Sequence, residues 1–316
     1  MTPSIGIVIP CYNEEDILEN SLQTLDALMK NLFGSGQISE YRFICIDDGS
    51  KDKTWSIIKE FAKKDSYSIK GLKLSHNSGH QNALLAGIEY ASKYFDAIIT
   101  LDADLQDDIS VIPQMIEQFN NGSEIVYGVR SNRETDSFIK EKTANIFYSL
   151  MRKSRTDTIP NHADFRLMSK RAVNALLSFN ERNIFLRGLV PLIGYNSSIV
   201  YYERKPRKNG QSKYPFAKML NFAVEGITSF SIKPIRSIFI IGIIFLFFTL
   251  SISIYVVIAI LLGRSYPGWA SLMLSLWFIG SLLLIALGII GEYIGKIYLE
   301  VKNRPRYFIE ETTEEK

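Results

Sequence analysis

Ala97-Ile98-Ile99-Thr100-Leu101-Asp102-Ala103-Asp104-Leu105-Gln106-Asp107 joins a short apolar run to a carboxylate-rich loop. An uncharged run of this length reads as a strand buried on both faces, and the acids that follow mark where the chain leaves the sheet. The pattern recurs on either side. Ile5 to Ile9, Phe43 to Ile46, Gly71 to Leu74 and Ile125 to Tyr127 read as buried strands, with amphipathic helices at Glu14 to Leu32, Thr54 to Lys64, Asn82 to Lys93 and Ser110 to Phe119. Strands alternating with helices predict an α/β domain, a mostly parallel sheet with helices on both faces. Ligands of such sheets bind beyond the carboxyl ends of the strands.

Every polar cluster in this half falls just after a strand. Pro10-Cys11-Tyr12-Asn13-Glu14 follows the first, Asp47-Asp48-Gly49-Ser50 the second, His76-Asn77-Ser78-Gly79-His80 the third, Asp102 to Asp107 the fourth, and Arg130 the fifth. Asp102 and Asp104 can aim oxygens at one hard cation, with Gln106 as a further ligand, and Mg2+ or Mn2+ commonly bridges such a pair to substrate phosphates. Asp47 and Asp48 can accept hydrogen bonds from a base or ribose, or serve as an Asx turn or cap for the helix from Thr54. Pro10, Tyr12 and Glu14 offer the same nucleoside an apolar wall and a carboxylate, although Glu14 serves equally well as a first-turn acid. His80 and His162 read as hydrogen-bonded turn residues and receive no catalytic role.

The second half changes in character. Residues 238–262 and 268–291 carry no charge, and only Gly263-Arg264-Ser265-Tyr266-Pro267 separates them. Each exceeds the roughly 20 apolar residues that cross a bilayer core, so a transmembrane hairpin is expected. Lys233 and Arg236 precede it and Lys296, Lys302, Arg304 and Arg306 follow, which places both termini and the catalytic domain in the cytoplasm, on a multi-pass protein of the cytoplasmic membrane. No cleaved signal is expected, because Asn13 to Asp16 interrupt the apolar start. The organisation is then a catalytic domain at 1–212, an amphipathic juxtamembrane helix at 213–234, two spans within 235–297 and a cytoplasmic tail at 298–316. Ser137 to Arg155 reads as a helix, Phe165 to Met168 as a strand and Ile184 to Leu189 as helical before a turn at Pro191, while the acidic residues after Phe308 read as solvated.

A net charge of +3 gives no reason to expect a nucleic-acid partner, and the basic run Arg204 to Lys218 suits anionic lipid headgroups instead. Cys11 and Cys45, the two cysteines, read as buried reduced thiols and are too few for a metal cage. Gly280, Ser281, Gly288 and Gly291 are small residues through which hairpins can pack, so a homo-oligomer is expected.

IPCYNEE at 9–15, DDGS at 47–50 and LDADLQD at 101–107, in this order and spacing, resemble family 2 glycosyltransferases of the A-type fold. DFRLMS at 164–169, the run Arg207-x-x-Gly210-x-Ser212-Lys213-Tyr214, GITSFSIKP at 226–234 and the terminal hairpin are similar to polyisoprenyl-phosphate glycosyltransferases, notably bactoprenol glucosyltransferases. The resemblance implies inverting transfer of one hexose, glucose from UDP-glucose, to undecaprenyl phosphate. It implies a cation on Asp104 that neutralises the departing diphosphate, and Arg130, Arg166, Arg207 and Lys213 as ligands of the acceptor phosphate. Lys140, Lys142 and Arg133 are stand-ins for further basic residues of the relatives. Asp164 would orient Arg166, contact sugar hydroxyls or act as a base. A GDP-mannose-dependent dolichyl-phosphate mannose synthase and an inactive membrane-anchored scaffold are the alternatives. The lack of a QxxRW-like segment, and two spans where a translocation channel needs more, argue against a processive synthase. A flippase would act next if the product is used outside.

Overall fold

Runs of branched aliphatic residues buried on both faces form the centre of an eight-stranded sheet in the computed structural model, which describes residues 2–64, 68–131, 162–182, 184–203 and 268–313 and scattered positions between 235 and 262. The strands are β1 (Ser4–Cys11), β2 (Glu40–Asp47), β3 (Ile69–Leu74), β4 (Ala97–Thr100), β5 (Ile125–Arg130), β6 (His162–Ser169), β7 (Ser197–Tyr202) and β8 (Ile309–Thr312), in the spatial order β7-β5-β6-β4-β1-β2-β3-β8. β1 pairs in parallel with β2 and β4, and β2 with β3, as crossover helices require. Ile5, Ile7, Phe43, Ile44, Ile98 and Ile99 have no exposed surface, so the sheet's centre is covered on both sides.

The covering helices are α1 (Leu18–Gly34), α2 (Thr54–Lys64), α3 (His80–Ala91) and α4 (Ile112–Asn120). Leu18, Leu22, Leu25, Met29 and Leu32 put one face of α1 into the core at helical spacing. α1 starts later than its apolar pattern predicts, because the Glu14 carbonyl accepts from Ile17 and Leu18 in a preceding turn. α3 packs so closely on the sheet that a Cβ on Gly87 would lie 2.4 Å from both Val8 Cγ1 and Ile46 Cδ1. Only glycine fits there without repacking.

Two strands run against the rest. β6 lies antiparallel between β4 and β5, and β8 is antiparallel to β3. The sheet is therefore mixed with a parallel majority. β7, which pairs in parallel with β5, lies outside the sequence reading, although Val200 and Tyr202 point in while Ile199 and Tyr201 point out. Beyond β6 come α5 (Lys170–Leu177), capped by Ser169 Oγ accepting from Ala172 N, and α6 (Leu186–Leu192). Pro191 lies inside α6 rather than at a turn, in a helix too short to have many interior bonds to lose.

The chain divides into two compact units, Met1–Lys213 with Arg304–Lys316, and Tyr214–Asn303. In the second, α7 (Trp269–Lys302) runs past the uncharged stretch 268–291, because Glu292, Lys296 and Glu300 are good helix formers that end the hydropathy but not the helix. Asn303, at φ 44°, closes it in the left-handed conformation, and Pro305 follows. Within α7, Phe278–Lys302 contains an 18-residue window with a mean hydropathy of 2.0, none of it buried, which makes the segment long and apolar enough to cross a membrane. The expected first span is described only at scattered positions, all but the last of them helical. Its turn at 263–267, the expected amphipathic helix at 213–234 and the expected helix at 137–155 lie outside the described residues.

The acidic tail is the clearest departure from expectation. Its side chains are exposed, as expected of a solvated segment, but Ile309–Thr312 forms a strand on the edge of β3, where Trp55 Nε1 donates to Glu311 at 2.8 Å and Lys73 Nζ lies 2.9 Å from Glu310. Its acids meet cations and donors that no local pattern shows.

Candidate active site

The loops leaving β1 and β2 form one pad. Asn13, at φ 54°, donates its N–H to Ser50 Oγ at 3.0 Å and accepts from Lys51 N at 2.9 Å; Glu14 N donates to Thr54 Oγ1, and Glu15 N to Asp52. Asn13 and Glu15 thus staple the two loops, leaving Tyr12 exposed and Pro10 buried beside them. Asp47 has no exposed surface. Its Oδ1 accepts from Ser50 N, but its Oδ2 is buried without a partner, and burial raises its pKa. An unsatisfied buried acceptor at the end of a strand is a place for a ligand's N–H or O–H.

Asp48 is used differently. Its oxygens accept from Ser78 N at 2.7 Å and Gly79 N at 3.0 Å, which fixes the loop between β3 and α3 and hence the first residue of α3, His80. Gly49 makes this arrangement possible: φ is 69°, and a Cβ would lie 2.7 Å from both Asn77 N and His76 C. Gly49→Ala is expected to lose roughly 2 kcal/mol, from the left-handed backbone and the backbone clash together. Urea denaturation of the purified chain checks it.

Antiparallel β6 brings its N-terminal end to the rim where the parallel strands end. Thr100 faces Arg166 in the register, and Thr100 Oγ1 donates to the Asp164 carbonyl. Asp164 is 4% exposed and lies among two guanidiniums and the His80 imidazole. Arg166 Nη2 donates to its Oδ1 at 2.6 Å; Arg187 grips both oxygens, with Nε 3.3 Å from Oδ1 and Nη2 2.9 Å from Oδ2; His80 Nε2 is 3.5 Å from Oδ2. Burial alone would raise the Asp164 pKa, but His80, Arg187 and Arg166 outweigh it and hold the carboxyl well below its usual range. Arg166 is 1% exposed, also donates to the Leu186 carbonyl, and keeps its Nε without an acceptor.

His80 bridges this cluster to the Asp102-Ala103-Asp104 loop, lying 3.6 Å from Asp102 Oδ1. Burial opposes its charge, but Asp164 and Asp102 raise its pKa. Asp102 is raised by burial, reinforced by Asp164, Asp107 and Asp104. Asp102 and Asp104 are both half-exposed, Gln106 is buried, and Leu105 between the last two adopts φ 45°, a strained conformation for a leucine. Arg130 closes the loop's far end, with Nη2 3.0 Å and Nε 3.2 Å from Asp107 Oδ1.

Asp47, Asp48, Asp102, Asp104, Asp164 and Arg166, named from sequence, thus stand at one rim with Tyr12, Glu14 and Arg130, while Arg207, Lys213, Lys140 and Lys142 lie outside the described residues. Sequence reasoning missed Arg187 and gave His80 no role. Arg187 had one indicator, a lone charge in the apolar run Ile184 to Val190, which calls for a buried partner. Cys11 and Cys45 are free and buried, and burial pushes the Cys45 thiol up to about 12.

Residues 6–177 match the family described as Glycosyl transferase family 2. The uncharacterized glycosyltransferase YkoT of Bacillus subtilis (strain 168) is 48% identical over 309 residues, 98% of this chain and 91% of its own. The SfII prophage-derived bactoprenol glucosyl transferase of Shigella flexneri is 40% identical over 314 residues, 98% of each chain. Among solved structures, the mannosyltransferase PcManGT from Pyrobaculum calidifontis, in complex with GDP-Man and Mn2+, is 16% identical with a TM-score of 0.46, over 96% of this chain and 87% of that one.

Proposed function

The chain belongs to glycosyl transferase family 2, and from that membership we propose that it moves a hexose, glucose from UDP-glucose, onto a polyprenyl phosphate at the cytoplasmic membrane face, inverting the anomeric carbon. The state of Asp164 carries the reading. A carboxylate gripped by two guanidiniums and held far below its usual pKa is a poor proton acceptor. A hydroxyl acceptor would need a base, whereas a phosphate monoester, with a second pKa of about 6, arrives largely ionised. The rim suits an acceptor that brings its own negative oxygen. The relative named as a bactoprenol glucosyl transferase supports the same acceptor class.

In this mechanism an acceptor oxygen attacks the anomeric carbon while the bond to the diphosphate breaks, the electron pair leaving with the nucleotide. Asp47 Oδ2 takes a hydrogen bond from the base or ribose, Pro10 and Tyr12 flank it, and Asp48 shapes the pocket by holding the His80 loop. Asp164, fixed by its cations, orients Arg166 and Arg187 towards developing negative charge. Two half-exposed aspartates fit a cation site completed by substrate oxygens, and the described residues contain no group of three or more His, Cys, Asp or Glu that would make an all-protein cage. Asp102 and Asp104, with Gln106, would hold Mg2+ or Mn2+, which supplies charge neutralisation for the diphosphate. Arg207, Lys213, Arg130, Lys140 and Lys142 are assigned to the acceptor phosphate. Arginine's planar fork suits that task.

Membrane attachment rests on Tyr214–Asn303. Both its ends join the other unit, which suits a segment that leaves the cytoplasm and returns to it. A hairpin of 238–262 and 268–291 is such a segment; homo-oligomerisation through its small residues and a downstream flippase complete the proposal. The donor is tested by thermal shift with a panel of UDP- and GDP-sugars and Mn2+, since a bound donor stabilises by mass action. UDP-glucose is expected to give the largest shift; a shift with GDP-mannose instead would replace the donor. Absence of any lipid-extractable product with every donor would leave an inactive scaffold of the same fold.

A further inference from the structure

Residues 304–313, which follow α7 in the chain, grip the catalytic domain beyond the β8 ladder. Arg306 Nη2 donates to the Phe179 carbonyl at 2.7 Å and the Glu181 carbonyl at 2.8 Å, and the Tyr307 hydroxyl donates to the Glu89 carboxylate. These grips fall on two elements that carry partners of Asp164. Glu89 is in α3, whose first residue is His80; Phe179 and Glu181 lie on the approach to α6, whose second residue is Arg187. The two elements are also tied to each other, because Gln81 Oε1 accepts from Leu186 N at 3.1 Å.

We propose that Arg306 is a positioning residue for the Asp164 cluster: by satisfying two carbonyls ahead of α6 it fixes where Arg187 meets Asp164, with Tyr307 holding α3 in the same frame. The assignment rests on the reading that this cluster lies at the transfer site. Carbonyls in an irregular connection have no ladder to fix them, and one guanidinium donating to both removes that freedom. β8 contributes less to this function, since its contacts with Trp55 and Lys59 on α2 and with Lys73 on β3 fall on neither element bearing the cluster.

The test uses the full chain in lipid vesicles, measuring transfer kinetics and hydrogen exchange together. Arg306→Ala is expected to lower kcat about tenfold while donor affinity stays within about twofold, and to speed exchange of the Leu186 amide. Arg306→Lys is expected to recover part of both, and Glu311→Gln to leave kcat unchanged. Wild-type kcat and Leu186 protection in Arg306→Ala would overturn the proposal, as would a loss of turnover matched by an equal loss of folded protein. If Arg306→Ala does not fold, Tyr307→Phe, which removes one hydroxyl, is expected to show a smaller fall in kcat with faster exchange in α3; unchanged values overturn the shared frame. A wild-type chain that transfers nothing would reject the transfer-site reading, while the exchange measurements would still judge Arg306.

Discussion

Asp104→Ala is expected to lower transfer at least about a hundredfold and to leave the melting temperature where it was. The side chain is half-exposed, and the hydrogen bond it accepts from Gln106 N is long, at 3.3 Å, so its loss costs the fold little. Its proposed contribution is to the diphosphate, where charge accumulates as the sugar leaves and a pre-set cation counts most. Stabilisation by Mn2+ with the donor should disappear with it. Steady-state kinetics with labelled donor, alongside a melting curve, decide the matter; a variant keeping most of its activity removes the metal role from Asp104.

Asp164→Asn should do the opposite to stability. Removing the carboxylate leaves Arg166, 1% exposed, and Arg187 without their anion, and breaking a buried pair from one side costs roughly 3–5 kcal/mol. For a domain of this size that corresponds to a melting temperature lower by about 6–20 °C, with transfer nearly lost. The pH dependence has a definite sign. Because the folded pKa lies below the unfolded one, the carboxylate's contribution is full above the unfolded value and is withdrawn only as pH falls through the folded one. The gap in stability between wild type and variant should therefore be wide at neutral pH and narrow in acid. A gap that does not change with pH, or a variant as stable as wild type, would mean the cluster is not held by this charge.

Much of this was legible because the chemistry sits on locally patterned elements. The strands before Asp47 and Asp102 are short apolar runs buried on both faces, and a run of that kind can be recognised without knowing its neighbours. The direction of β6 cannot be read this way, since Phe165 to Met168 has the same pattern in either orientation; only pairing with Thr100 shows why Asp164 reaches the rim. Asp48 and Asn13 were visible as motif residues, but their hydrogen bonds to Ser78, Gly79, Ser50 and Lys51 depend on loops 30 or more residues away. β8 is the extreme case. Its partners Trp55 and Lys59 lie more than 250 positions earlier, and its two acids argued locally for solvent.

The most direct measurement compares two acceptors in vesicles, a polyprenyl phosphate and the corresponding polyprenyl alcohol, with labelled nucleotide sugar and Mn2+. With Asp164 locked as an anion and no proton acceptor needed, label should pass into the phosphate and not the alcohol, rising as pH climbs through about 6 as the phosphate ionises. Comparable transfer to the alcohol would mean that a base operates at this rim, and would contradict the claim that the acceptor supplies its own charge.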